Sequence, residues 1–247
     1  MPVYSNDPFS GDPMRTIRLN GCLVLLAAFF MLCILPMMFV NMLQDALQNL
    51  HLSPEGAFLV LMGMFVGSVI NLPLYSIPRP AQELITPDML PHRDPFNLPP
   101  WDPTRRETLV AVNVGGCLVP LLLAAWLLPA VMQGGPRVLT VLGLGVLANC
   151  VVCYRWARSI PGLGIALPTF LPSLVALIFV WLGLAGPQYD PFQAPVAYLI
   201  GISGPLIGAD LMHWRDFRHI ATGMVSIGGA GTWDGIVLSG LMAAFLV

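Results

Sequence analysis

The sequence predicts an all-α integral membrane protein, a single bundle of about seven transmembrane helices, and three observations carry that prediction. Of the 247 residues, 56% are hydrophobic and only 10% are charged, against about a quarter charged in a soluble domain. Mean hydropathy is +0.77, and the apolar residues gather into runs of membrane length separated by Pro, Gly and Arg. The cations then sort by side. Every one of the eleven basic residues is Arg; with the N-terminus in the cytoplasm, ten fall in inside segments and only Arg137 falls outside.

Taken in order, residues 1–19 are polar and Pro-containing and read as a cytoplasmic tail, and 20–247 as one transmembrane domain. Arg15 and Arg18 precede the first apolar run, about 21–43, which is too long for a signal-peptide core and lacks a small-x-small cleavage site. It is expected to stay as the first span, with Pro36 kinking it. Ser53 reads as the N-cap of the next helix. The second span, about 57–77, carries Gly63, Gly67 and Ser68, small residues that permit close helix approach. Residues 78–107 hold eight prolines and four arginines, so they read as an extended cytoplasmic loop.

The third span, about 108–133, opens with Asn113-Val-Gly-Gly, and Gly134-Gly-Pro136 makes a turn. The fourth, about 138–156, contains Asn149 and ends in Arg155 and Arg158. A short link at 159–168 leads to the fifth, about 165–186, with Pro168 and Pro172 in its first turns. A polar segment at 187–194 leads to the sixth, about 195–213. The seventh, about 227–247, has a Gly-rich opening expected to be partly unwound, and the C-terminus lies outside. Asn113-Val-Gly-Gly echoes Ser226-Ile-Gly-Gly, a hint of parallel duplication. The expected location is the inner, cytoplasmic membrane of the cell.

Composition removes several functions. A net charge of −2 offers no basic footprint for nucleic acid. The five cysteines all sit in apolar runs, where a disulfide scaffold would put them in loops. Cys150-Val-Val-Cys153 matches C-x-x-C, yet mid-helix in lipid such thiols act as small hydrophobes. Walker, dinucleotide and His-Glu-x-x-His patterns are missing, and no cofactor is expected. Asp210, His213, Asp216 and His219 repeat every third residue, but successive i,i+3 positions drift around a helix, so no metal site is expected either.

What remains is a set of polar residues in apolar territory. Asp210 and Asp234 stand on the sixth and seventh spans, and the topology sets both near the cytoplasmic end, with Asn71, Asn113 and Asn149. A charge at the middle of a membrane helix costs about 2.5–3.5 kcal/mol on insertion scales, so such groups face a bundle interior or a wet cavity. One polar cleft is therefore expected, lined by Asn71, Asn113, Asn149, Ser226, Gly228, Gly229, Gly231 and Thr232, with Asp210 and Asp234 as its acids. The competing reading makes the Asn residues plain inter-helix hydrogen bonds and Asp210 an interfacial partner of Arg215 and Arg218.

Asn113-Val-Gly-Gly, Gly208-Ala-Asp-Leu and Ser226-Ile-Gly-Gly-Ala-Gly-Thr-Trp-Asp-Gly resemble an uncharacterised multi-pass membrane family, domain of unknown function 1614, from about residue 55 to the end. The resemblance implies an integral membrane protein and brings no activity with it. In its arrangement of two aspartates on helices six and seven, the chain is also similar to presenilin-like intramembrane proteases. It departs from them at Thr232 and Trp233, which separate Gly231 from Asp234, at Ala209 before Asp210, and in having no Pro-Ala-Leu motif.

Three function classes follow. Asp210 and Asp234 can serve as the acid and base of an intramembrane aspartyl peptidase acting on a transmembrane-helix substrate. Alternatively, Asp234 can bind a proton or cation for transport of a small solute, with the broken helix at Gly228–Gly231 pointing N–H groups into the cavity. The third class is a non-catalytic membrane scaffold or accessory subunit. Gly201-Ile-Ser203-Gly204 also matches the Gly-x-Ser-Gly of rhomboid serine proteases, but no His lies at that depth on another helix to activate the hydroxyl. In all three classes the lipid bilayer is an expected partner, beside a transmembrane-helix substrate or a small solute.

Overall fold

The computed structural model describes residues 21–78, 107–160, 164–218 and 224–247. The expected tail at 1–19 and nearly all of the proline-rich loop lie outside the described residues. The chain divides into two units, 1–41 and 42–247.

A helix α1 (Gly21–Phe29) in the first unit runs through a π turn at Phe30–Ile34 into α2 (Leu35–Asn49), which continues past residue 41 into the second unit. Pro36 lacks an N–H and cannot continue regular α hydrogen bonding. The widened turn just before it, closed by Leu35 N–H to Phe30 O, absorbs the mismatch. From Leu23 to Met38 the large apolar side chains are exposed, as lipid contact requires. The span runs on to Asn49, six residues beyond expectation, so Asp45 also falls within an apolar span, near its end and exposed.

The second unit holds α3 (Pro54–Gly67), α4 (Val119–Met132), α5 (Gly135–Trp156), α6 (Leu171–Gly183), α7 (Asp190–Ser203) and α8 (Gly235–Phe245). Ser53 caps α3 as expected, accepting from Gly56 N at 3.1 Å. Among the described residues, four helical stretches are long and apolar enough to cross a membrane: Leu23–Asn49, Val114–Met132, Gly135–Trp156 and Pro187–Leu211. The last takes in Asp190, in the first turn of α7. Three apolar helices, α3, α6 and α8, are shorter.

The described residues are mostly helical, as expected, but not all-α: they include the strands β1 (Asn71–Pro78), β2 (Glu107–Asn113), β3 (Arg158–Ile160), β4 (Gly164–Ala166) and β5 (Met224–Ile227). What read as the end of the second span and the start of the third is an antiparallel pair, β1 against β2, with Asn71 opposite Asn113. β5 joins the other edge of β2, parallel, with Ala111 opposite Ser226. An apolar run of seven or eight residues does not by its hydropathy distinguish a strand from a helix turn. β-branched content and nearby prolines decide here. Pro73 and Pro78 sit on β1, an edge strand with a bulge between Pro73 and Tyr75, where a missing N–H costs little. The link at 159–168 is the antiparallel pair β3–β4.

The core of this unit is α7. Every residue from Ala194 to Leu206 is buried, held by α5, α6 and α8 around it. Tyr198, wholly buried, donates its hydroxyl to Pro120 O at 3.0 Å and ties α7 to the start of α4.

Candidate functional site

The site is assembled from helix ends. α7 widens into a π segment, Gly204–Leu211, whose end carries Asp210. α4 begins with a π turn, Val114–Leu118, directly after β2. α8 begins at Gly235 after a glycine-rich loop and one 3-10 turn, Gly231–Trp233, as the expected unwinding of the seventh span required. In each π stretch a proline is at hand (Pro120 just after one, Pro205 inside the other), and the missing N–H is a physical reason for the wider turn.

Asp234 is the N-cap of α8. Its Oδ1 accepts from Ile236 N at 3.0 Å and its Oδ2 from Ala230 N at 3.3 Å, so both oxygens are occupied by backbone donors at a positive helix end. Asp210 is half-buried and, among the described residues, accepts no hydrogen bond. The two carboxyls lie close enough to act on each other electrostatically. Beside them, on the π turn of α4, the buried thiol of Cys117 is within electrostatic reach of both. Nothing in the composition singled out Cys117. Its position after Gly115-Gly116 was the available signal.

Asn71, Asn113 and Ser226 meet as one polar strap across the three strands. Asn113, wholly buried, caps the π turn by accepting from Gly116 N at 2.7 Å, and donates to Ser68 O at 2.7 Å and to Asn71 Oδ1 at 3.1 Å. Asn71 Oδ1 also accepts from Ser226 Oγ at 2.6 Å. The repeated motif therefore occupies adjacent places: both copies end a strand, and the strands run parallel side by side.

The motif glycines form a backbone junction. A Cβ on Gly115 would stand 2.0 Å from Met64 O, and one on Gly116 2.0 Å from Gly228 O. Gly228 and Gly231 have positive φ (72° and 62°), which side-chain-bearing residues rarely adopt. A Cβ on Gly231 would stand 2.3 Å from Ser68 Cβ, and one on Gly229 2.8 Å from Ser226 O. Thr232 is buried beside this junction.

Asn149 lies apart from that strap. It is wholly buried and donates to Ile200 O at 2.6 Å and Pro172 O at 3.3 Å, while its Oδ1 accepts from the Cys153 thiol at 3.4 Å. This is an inter-helix tie among α5, α6 and α7. The Cys150 thiol donates to Ser203 O at 3.5 Å, and both cysteines are free. Ser203 donates back to Ile200 O at 2.7 Å, which occupies the hydroxyl of the rhomboid-like motif. His213 Nδ1 donates to Ala209 O at 2.8 Å and Gly208 O at 3.2 Å, capping the π segment, and its ring packs on Tyr154 with centroids 4.8 Å apart. Among the described residues no three His, Cys, Asp or Glu side chains lie close enough to hold a metal ion; His219 lies outside them. An apolar cavity of about 270 Å³ lined by Leu50, His51, Trp126, Val131, Phe192 and Pro195 sits at the other ends of α4 and α7, away from the acids.

The model of one family, described as a protein of unknown function (DUF1614), matches residues 65–246. The chain belongs to the DUF1614 family. The match takes in every element from the end of α3 to α8, and so both Asp210 and Asp234. No curated protein and no solved structure matches this DUF1614 chain.

Proposed function

We propose that this DUF1614 protein is an intramembrane aspartyl peptidase, with Asp210 and Asp234 as its catalytic pair. What supports the reading is the placing of two acids at helix ends that pack on each other, Asp210 on the π segment that continues α7 and Asp234 at the N-cap of α8, within electrostatic reach, in a chain otherwise poor in charge. In a pair sharing one negative charge, the two backbone donors at Asp234 favour placing it there and leave the proton on Asp210. Asp234 then takes a proton from water as the water oxygen attacks the scissile carbonyl carbon. Asp210 gives its proton to the carbonyl oxygen. The resulting gem-diol collapses as Asp234 gives its proton to the amide nitrogen and one diol hydroxyl returns a proton to Asp210; the C–N bond breaks, leaving an amine, a carboxylic acid and the pair in its starting state. β5 supports substrate access: its outer edge pairs with no other described strand, and it runs straight into the loop bearing Asp234, so an extended peptide could add there.

In this reading all seven apolar helices cross the cytoplasmic membrane, the N-terminus inside. At 1.5 Å per residue the 11-residue α8 covers roughly 17 Å of the roughly 30 Å core; β5 and the glycine loop complete the crossing in this reading by lining a wet cleft, where non-helical backbone is tolerated. The ten-to-one distribution of arginines supports this orientation. The test is cleavage of a reporter transmembrane helix by the purified chain in vesicles. Asp210→Asn and Asp234→Asn should each abolish it, and unchanged cleavage in either variant rejects the pair.

A second reading, proton-coupled transport of a small solute, is favoured by one feature: the acids sit at interrupted helix ends, where ion sites of transporters are built. Solute-dependent proton uptake into vesicles, lost in Asp234→Asn, would select it.

A further inference from the structure

The π segment that continues α7 carries a proline, Pro205, five residues before its acid, Asp210. Pro205 has no N–H, so the carbonyl four residues earlier, Gly201 O, has lost its α-helical donor. That carbonyl is buried among helices, where an unpaired backbone group is costly. Ser239 of α8 fills the gap: its hydroxyl donates to Gly201 O at 2.9 Å, and Ser239 is wholly buried.

The bond is possible because glycines let the helices touch. A Cβ on Gly201 would meet Ser239 O at 2.8 Å, and one on Gly240 would meet Ile202 Cγ2 at 2.4 Å. Ser173 of α6 braces the contact from behind, donating to Ser239 O at 3.2 Å. Ser239 has a single hydroxyl proton and two other acceptors within its own helix, Gly235 O, in close contact, and Ile236 O at 3.3 Å. Given to Gly201, that proton ties α8 to α7; given to Gly235, it ties α8 only to itself. Ser239 lies five residues from Asp234, roughly 7–8 Å along the axis, so the tie sits just inside the acid pair.

We infer that Ser239 is a positioning residue for the acid pair: its hydroxyl stands in for the N–H that Pro205 lacks, and the bond to Gly201 sets the spacing between Asp210 and Asp234. The inference rests on the reading of those acids as a working pair. It acts through the two helices and asks nothing of Ser239 toward substrate.

The experiment uses the full chain in lipid vesicles, as Ser239→Ala, Ser239→Thr, Pro205→Ala and the double variant Ser239→Ala with Pro205→Ala. Two quantities are read. One is thermal unfolding. The other is the separation between the two carboxyl titrations, followed by infrared spectroscopy and assigned with Asp210→Asn and Asp234→Asn; it needs no turnover. Ser239→Ala should lower the unfolding temperature and shrink that separation, and Ser239→Thr should preserve both. In the double variant the alanine N–H reaches Gly201 O within α7, so the unfolding temperature should recover while the separation stays reduced. Recovery of the separation in the double variant, or an unchanged separation in Ser239→Ala, overturns the inference. The peptidase reading falls separately, if Asp234→Asn continues to cleave the reporter helix.

Discussion

Replacing Gly116 by alanine should be among the most damaging single changes that leave hydropathy untouched. Its new Cβ would stand 2.0 Å from Gly228 O, where real Cβ contacts essentially never fall below 3.0 Å, so the two segments must part by about an ångström. No side chain can turn aside to relieve this, because the obstructing atom is backbone. Gly228 is held in turn at φ 72°, and a Cβ there would stand 2.6 Å from Gly116 C. Overpacking that side chains can absorb costs about 1–3 kcal/mol, and a backbone obstruction belongs at the upper end. At about 2–4 °C per kcal/mol for a chain of this size, the melting temperature should fall by about 6–12 °C. Gly143→Ala in α5 is the control, since a Cβ there meets nothing within 4 Å. Circular dichroism melts of both variants in the same lipid provide the assay. If Gly116→Ala melts with Gly143→Ala, the backbone junction between the two motif copies is not as described.

Asp234 has two jobs that substitution can separate. Asparagine also caps helices, so Asp234→Asn should keep most of the stability while losing the reporter cleavage; Asp234→Ala should lose both, with about 0.5–2 kcal/mol from the missing cap, read as a melting shift. Tyr198→Phe removes a buried hydroxyl bond to Pro120 O and should cost about 1 kcal/mol; unfolding in denaturant checks it. Asn149→Leu should cost about 0.6–1.7 kcal/mol through loss of its bond to Ile200 O and leave cleavage intact, and a cleavage defect at full stability would return Asn149 to the active site.

The membrane character, the apolar runs and the cap at Ser53 were legible because each rests on local chemistry: hydropathy over a window, or a hydroxyl three residues from an orphan N–H. The two aspartates stood out for the same reason, as charges where charge is costly. The strands did not stand out. β1 and β2 are apolar enough to pass as helix ends, and their nature depends on partners: Asn113 lies 42 residues from Asn71, while the parallel partner of Ala111 is Ser226. Cys117, Ser239 and Pro205 were also missed, since a thiol, a hydroxyl or a proline inside an apolar run carries no sign of what it will face.

Taken alone, then, the sequence determined the solvent of this protein, its apolar segments and the two acids that lipid would not tolerate unaccompanied. Tertiary structure decided that Asn71, Asn113 and Ser226 join three strands while Asn149 ties helices. It also decided that the motif glycines serve as a place where backbones touch, and that Ser239 answers for Pro205. The physical reason is range. Hydropathy is a property each residue carries by itself, whereas a hydrogen bond or a close glycine contact exists only once two distant segments have been brought together.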